Sequence, residues 1–194
     1  DEARHSVFFN RFMNEVVGLG DGSIAGGMSA TAGELSWGHK MIFQGLEDMC
    51  VALRADQSPH QFARAITLYH VLIEASLAQP GQHIIESFLE EADLLPGFRE
   101  GIANVALDEQ RHIAFGVKAL ADLYDADPKG TETAVLDVVR ENGVFITGVA
   151  KPPNWDESYF EAFNSSFEAL GRDGVKALEM RLKAVGIDLH TVER

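Results

Sequence analysis

Two short stretches pair a glutamate with a histidine three residues later, Glu2 with His5 and Glu109 with His112. On a helix, positions i and i+3 leave the same side about one turn apart, so a carboxylate and an imidazole can reach one ion. Both pairs sit in a repeated pentapeptide, Asp1-Glu2-Ala3-Arg4-His5 and Asp108-Glu109-Gln110-Arg111-His112. A phenylalanine follows each histidine by three residues, Phe8 and Phe115. One such pair alone usually describes a solvated helix surface. Two copies of one local design point to a dinuclear metal centre. Helical bundles that hold two metals in their core take a Glu-x-x-His from each of two helices and a single carboxylate from each of the other two.

Glu74 is the candidate single carboxylate. It lies within Leu68-Tyr69-His70-Val71-Leu72-Ile73-Glu74-Ala75, an apolar helix interior, where an ionised carboxylate buried without a partner costs several kcal/mol. Glu109 and His112 share a face with Ile102, Val105, Ile113 and Gly116, and Glu2 and His5 with Phe9, Phe12, Met13 and Val16. Three helices thus turn ligand-type side chains toward apolar stripes. Shared cations reconcile the two, neutralising the carboxylates and using the imidazoles as neutral donors. Glu2, His5, Glu74, Glu109 and His112 are therefore the expected ligands of two transition-metal ions, with one further carboxylate, from a fourth helix, not found in the sequence. His70 reads as a packed or hydrogen-bonded histidine, with ligation as the alternative. Asp1 and Asp108 read either as carboxylates that orient the histidine of the opposite motif or as capping and surface residues. His39, His60, His83 and His190 have no comparable setting, and the acidic run from Glu86 to Asp93 reads as a solvated face.

Helices must position these groups, and the pattern is all-α. Apolar residues recur with helical period over 1–17. From Gly18 to Gly33, six glycines among small and polar residues predict a flexible surface loop. Helix resumes over about 34–54. Ser58-Pro59 caps a helix expected to run to about Gln79, where Pro80-Gly81 should interrupt it before a shorter helix over 82–93. Leu95-Pro96-Gly97 introduces a long helix to about Asp125, ended by Asp127-Pro128. Further helices follow, with breaks expected at Lys151-Pro152-Pro153 and from Gly171 to Gly174. The amphipathic pattern begins abruptly at Asp1 without a cap, which predicts that N-terminal helices of the same domain precede it.

Composition limits the partners. The 194 residues, 46% hydrophobic, suffice for one core and one domain over 1–194. A net charge of −14 opposes binding to nucleic acid or to anionic membrane, and no apolar run is long enough for a membrane span. A single cysteine, Cys50, excludes an internal disulfide framework or a Cys-rich metal site and fits a reducing cytoplasm.

The two pentapeptides, with Glu74 between them, resemble the ribonucleotide reductase small-subunit superfamily, a ferritin-like helical bundle. The segment from Ala63 to Gly116, including Leu95-Pro96-Gly97-Phe98, is most similar to its branch of ligand-binding oxidases. That resemblance implies an oxidoreductase with a Mn/Fe or Fe/Fe carboxylate centre that activates dioxygen, a long-chain fatty acid as bound ligand, and a homodimer. It also implies a role for Tyr69. In the oxidase branch a tyrosine five residues before the helix glutamate becomes cross-linked to a valine on the first ligand helix, and Tyr69 stands at that distance from Glu74; a plain core aromatic is the alternative. In radical-bearing small subunits a tyrosine follows the first histidine by four residues, and here that residue is Phe9. The chain ends His190-Thr191-Val192-Glu193-Arg194, without the tyrosine-bearing tail that docks a reductase large subunit. A reductase small subunit and a non-catalytic iron-binding protein remain the alternatives.

Overall fold

The computed structural model describes residues 1–149 and 156–189, and their regular structure is entirely helical. In chain order these are α1 (Glu2–Phe12), a π-helical turn π1 (Met13–Val17), α2 (Ile24–Thr31), α3 (Trp37–Ala55), α4 (Pro59–Ile66), a π-helical segment π2 (Thr67–Ala78), α5 (Gln79–Glu91), α6 (Pro96–Ala126), α7 (Pro128–Val149), α8 (Ser158–Glu161) and α9 (Phe167–Val185). Local chemistry sets many of the starts. Ser23, Ser36, Ser58 and Ser166 each accept a hydrogen bond from a first-turn N–H of α2, α3, α4 and α9. Pro59 and Pro96 stand in the first turn, where the missing N–H costs nothing.

The centre of the bundle is the continuous rod α4–π2–α5, against which α6, α7 and α9 pack, with α3 against α7 and α4. Ala63, Ile66, Val71, Leu120, Ala134, Val135, Leu182, Val185 and Ile187 form the main core. Leu68, Leu72 and Val138 form a second cluster. Helix α1 lies against α6 and α2 and buries His5 alone. No helix among the described residues is long and apolar enough to cross a membrane.

The structure departs from the sequence expectations in three places. The stretch from Gly18 to Gly33 is not all loop, because Ser23 caps the two-turn helix α2. Pro80-Gly81 does not interrupt the rod: the π-helical hydrogen bonding ends at the N–H of Gln79, bonded to the Glu74 carbonyl, and α5 starts there with Pro80 in its first turn. A proline is tolerated where the register changes and its N–H is not needed. Gly171 and Gly174 lie inside α9. Gly174 is there for close packing, since a Cβ would meet the Ser76 carbonyl oxygen at 2.6 Å. The expected break at Lys151-Pro152-Pro153 and the terminal stretch His190–Arg194 lie outside the described residues.

Candidate metal centre

Three helices bring the five expected ligands to one place. Glu2 and His5 come from the start of α1, Glu109 and His112 from the middle of α6, and Glu74 from π2. One oxygen or nitrogen from each of Glu2, Glu74, Glu109 and His112 lies within 4.8 Å of all the others. His112 Nδ1 is 3.2 Å from Glu109 Oε2 and 3.3 Å from both Glu74 Oε1 and Glu2 Oε1. His5 Nδ1 is 3.3 Å from Glu2 Oε2 and 3.5 Å from Glu109 Oε1. The two imidazole centroids are 6.5 Å apart. Glu74 and Glu109 are 4% and 7% exposed and His5 8%, while the Glu2 side chain reaches the surface.

The outward nitrogens of the two histidines are held crosswise. His5 Nε2 lies 3.0 Å from Asp108 Oδ2 on the other motif, and His112 Nε2 lies 3.1 Å from Asp1 Oδ2. An ionised aspartate accepts from Nε2–H, so each Nδ1 presents its lone pair to the carboxylates. The hydrogen bond to His5, followed by the Arg111 guanidinium, holds the Asp108 carboxyl down at about 2. The orienting alternative for Asp1 and Asp108 is thus the one the geometry matches.

Inside this arrangement acceptors face acceptors. Glu74 Oε1 is buried with no hydrogen-bond partner, a state that costs about 1–3 kcal/mol for a neutral group and more for a charge. Burial, then the charges of Glu74 and Glu2, raise the Glu109 carboxyl above its ordinary value, against an opposing pull from His112. Orphaned oxygen, crowded carboxylates and inward lone pairs are complementary to cations. The donor set, carboxylate and imidazole without thiolate, suits iron or manganese. The residues fit a metal.

The π-helical segment sets the neighbours of Glu74. Its hydrogen bonds span five residues, so Tyr69 stands about one turn from Glu74, whereas in an α-helix five residues make about 1.4 turns. Burial, then the charges of Glu2, Glu74 and Glu109, push the Tyr69 phenol up to about 12, so it stays protonated beside the carboxylates. His70, read as packed or hydrogen-bonded, has its Nδ1 2.6 Å from Glu74 Oε2 and its ring edge-on to Tyr69 and Phe115. Gly116 on α6 leaves the space that His70 fills. A cleft of about 430 Å³ opens beside the centre, where Phe9, Met13, Met28 and Val105 meet Glu2 and Glu109. Sequence reasoning assigned nothing to Arg4 and Arg111. Each pairs with both Asp1 and Asp108, and their recurrence at one place in both pentapeptides was the available signal.

No family model matches the chain. Among solved structures, an R2-like ligand-binding oxidase mutant with anaerobically reconstituted Mn/Fe cofactor superposes with a TM-score of 0.77 and 25% identity over 95% of this chain and 63% of that one. A second mutant, aerobically reconstituted with Mn/Fe, gives 0.76 and 26% over 95% and 62%. An R2-like ligand-binding oxidase from Sulfolobus acidocaldarius gives 0.61 and 19% over 81% and 54%. The fold is that of the R2-like ligand-binding oxidases. It is the ferritin-like, reductase-small-subunit type expected from the repeated pentapeptides, and the chain spans about three fifths of the length of the first two structures.

Proposed function

We propose that this chain holds a Mn/Fe or Fe/Fe pair through Glu2, His5, Glu74, Glu109 and His112 and works as a dioxygen-activating oxidase on an apolar ligand. The observation behind this reading is the convergence of buried carboxylates and inward imidazole nitrogens around an oxygen of Glu74 that has no other partner. Similarity to oxidases with Mn/Fe cofactors supports the choice of metals. When bound, such a pair supplies the reducing electrons for dioxygen and the oxidising power to attack a C–H or phenolic O–H bond.

The protein's own residues do the rest. Glu2, Glu74 and Glu109 provide negative charge that favours higher metal oxidation states. Asp1 and Asp108 fix the imidazoles so that no reorganisation is needed when metal binds. Phe9, Met13, Met28 and Val105 line the adjoining cleft with side chains suited to an acyl chain such as that of a long-chain fatty acid. Tyr69 keeps its phenolic proton next to the carboxylates and is the proposed internal site of oxidation. Phe9, four residues after His5, offers no phenol at the place a reductase small subunit would use, which favours the oxidase reading.

Metal analysis after anaerobic loading with iron and manganese tests the proposal. About two ions per chain, falling to one or none in Glu109→Ala, is the expected result. A protein that retains no iron or manganese under any loading condition contradicts it.

A further inference from the structure

We propose that Arg4 and Arg111 are positioning residues for the metal-facing imidazoles: they close a ring of ion pairs with Asp1 and Asp108 that holds each aspartate against the opposite motif's histidine. The inference rests on the metal-centre reading above and adds to it two residues that touch none of the five proposed ligands directly. Arg4 Nη2 contacts Asp1 Oδ1 and lies 3.0 Å from Asp108 Oδ2. Arg111 Nη2 contacts Asp108 Oδ1 and lies 3.3 Å from Asp1 Oδ2. Each aspartate therefore gives Oδ1 to the arginine of its own motif. It shares Oδ2 between the arginine and the histidine of the other. Four charges on two helices make one closed circuit, with the imidazoles hanging from it.

Three features tie this ring to position more than to fold stability. The guanidinium side chains are 70% and 62% exposed, and exposed ion pairs contribute little to folding. Helix α1 buries only His5, and its aromatic contacts with Phe98 come from Phe8, Phe9 and Phe12, about one to two turns further along, so at the motifs themselves the ring is the polar link between α1 and α6. The same Oδ2 atom that takes the arginine also takes the imidazole Nε2. An aspartate released by its arginine can turn to water, and the imidazole then loses the acceptor that fixes its tautomer and aim. Because each arginine holds one oxygen of both aspartates, removing either leaves each carboxylate on a single anchor about which it can turn.

The test uses the full chain with zinc as a redox-inert probe. Wild type, Arg4→Gln, Arg111→Gln and the double variant are titrated calorimetrically, and histidine ¹⁵N spectra of the metal-free proteins report the Nε2–H tautomer. Each single substitution is expected to weaken zinc binding on the order of tenfold and to lower the Nε2–H population at both histidines. The double should fall within about threefold of the singles, since the three share one circuit. Unchanged zinc affinity and tautomers, or additive losses in the double, overturn the proposal, as does an affinity loss without any tautomer change. If a glutamine variant does not fold, Arg4→Lys is measured instead. Its ammonium keeps the charge but not the planar span, so weakened zinc binding with a mixed tautomer supports the ring and wild-type behaviour overturns it. A wild type that binds no metal at all sinks the metal-centre reading, and the metal-free tautomers then decide the role of the arginines separately.

Discussion

Replacing Glu74 by glutamine should stabilise the metal-free protein and remove most of what metal adds. Glu74 is 4% exposed, and its Oε1 has no hydrogen-bond partner. It lies in a group whose ligand atoms are all within 4.8 Å, with two other carboxylates. At about 4–5 Å and an effective dielectric of about 20, each like-charge pair opposes folding by roughly 3–4 kcal/mol before compensation. The His70 hydrogen bond at 2.6 Å and the nearby His112 ring offset part of this. A net gain of about 2 kcal/mol for Glu74→Gln is expected, which for a chain of this size raises Tm by about 4–8 °C. Loading with metal at 100-fold above Kd adds about 2.7 kcal/mol to the wild type, and the variant should gain less than about 1 kcal/mol. Calorimetric melting of chelator-treated and metal-loaded samples of both proteins reads all four states. A metal-free variant that melts several degrees below the wild type, with an undiminished gain from metal, would refute the reasoning, because Glu74 would then be a satisfied structural residue.

Other outcomes follow from single groups. The Glu109 carboxyl is raised above its unfolded value, so in metal-free protein its contribution to stability is greatest in acid. That contribution diminishes as pH climbs through the raised value; melting between pH 4 and 8 (about the carboxylate-to-histidine range) should show the loss, and Glu109→Gln should flatten it. Asp108 acts in the opposite sense: held at about 2 against an ordinary 3.8, it adds stability above 3.8 that disappears as pH falls toward 2, and Asp108→Asn should remove that acid limb. Gly116→Ala drives a Cβ into His70 and should destabilise by about 1–3 kcal/mol in a denaturant titration. Tyr69→Phe should retain the wild-type metal content while abolishing any oxidised-tyrosine mass signature after aerobic loading.

The site was more legible than the backbone that builds it. Glu2, His5, Glu109 and His112 announce themselves because a helix converts a three-residue spacing into a shared face and the pentapeptide occurs twice. Glu74 was visible as a charge in an apolar run. The helical rod through Pro80 was not, because the π-helical register that makes the proline harmless is a backbone hydrogen-bonding pattern, ending at the Gln79 N–H, that no local composition encodes. Glycine misled for a related reason: at Gly174 it marks close approach to Ser76, a tertiary fact, where the sequence suggests a break. The Ser23 cap that starts α2 was present in the sequence but hidden among neighbours that suggest a loop. Arg4 and Arg111 repeat as faithfully as the ligands, and only the crossing of α1 and α6 shows what they bridge.

Anomalous diffraction from crystals of aerobically loaded protein, recorded at the iron and manganese edges, tests the central claim most directly. Two peaks are expected beside the Glu2 and Glu109 carboxylates, one at His5 Nδ1 and the other at His112 Nδ1 and Glu74. A single peak with zinc character, or ions bound elsewhere while Glu74 and Glu109 keep only protein partners, would contradict it.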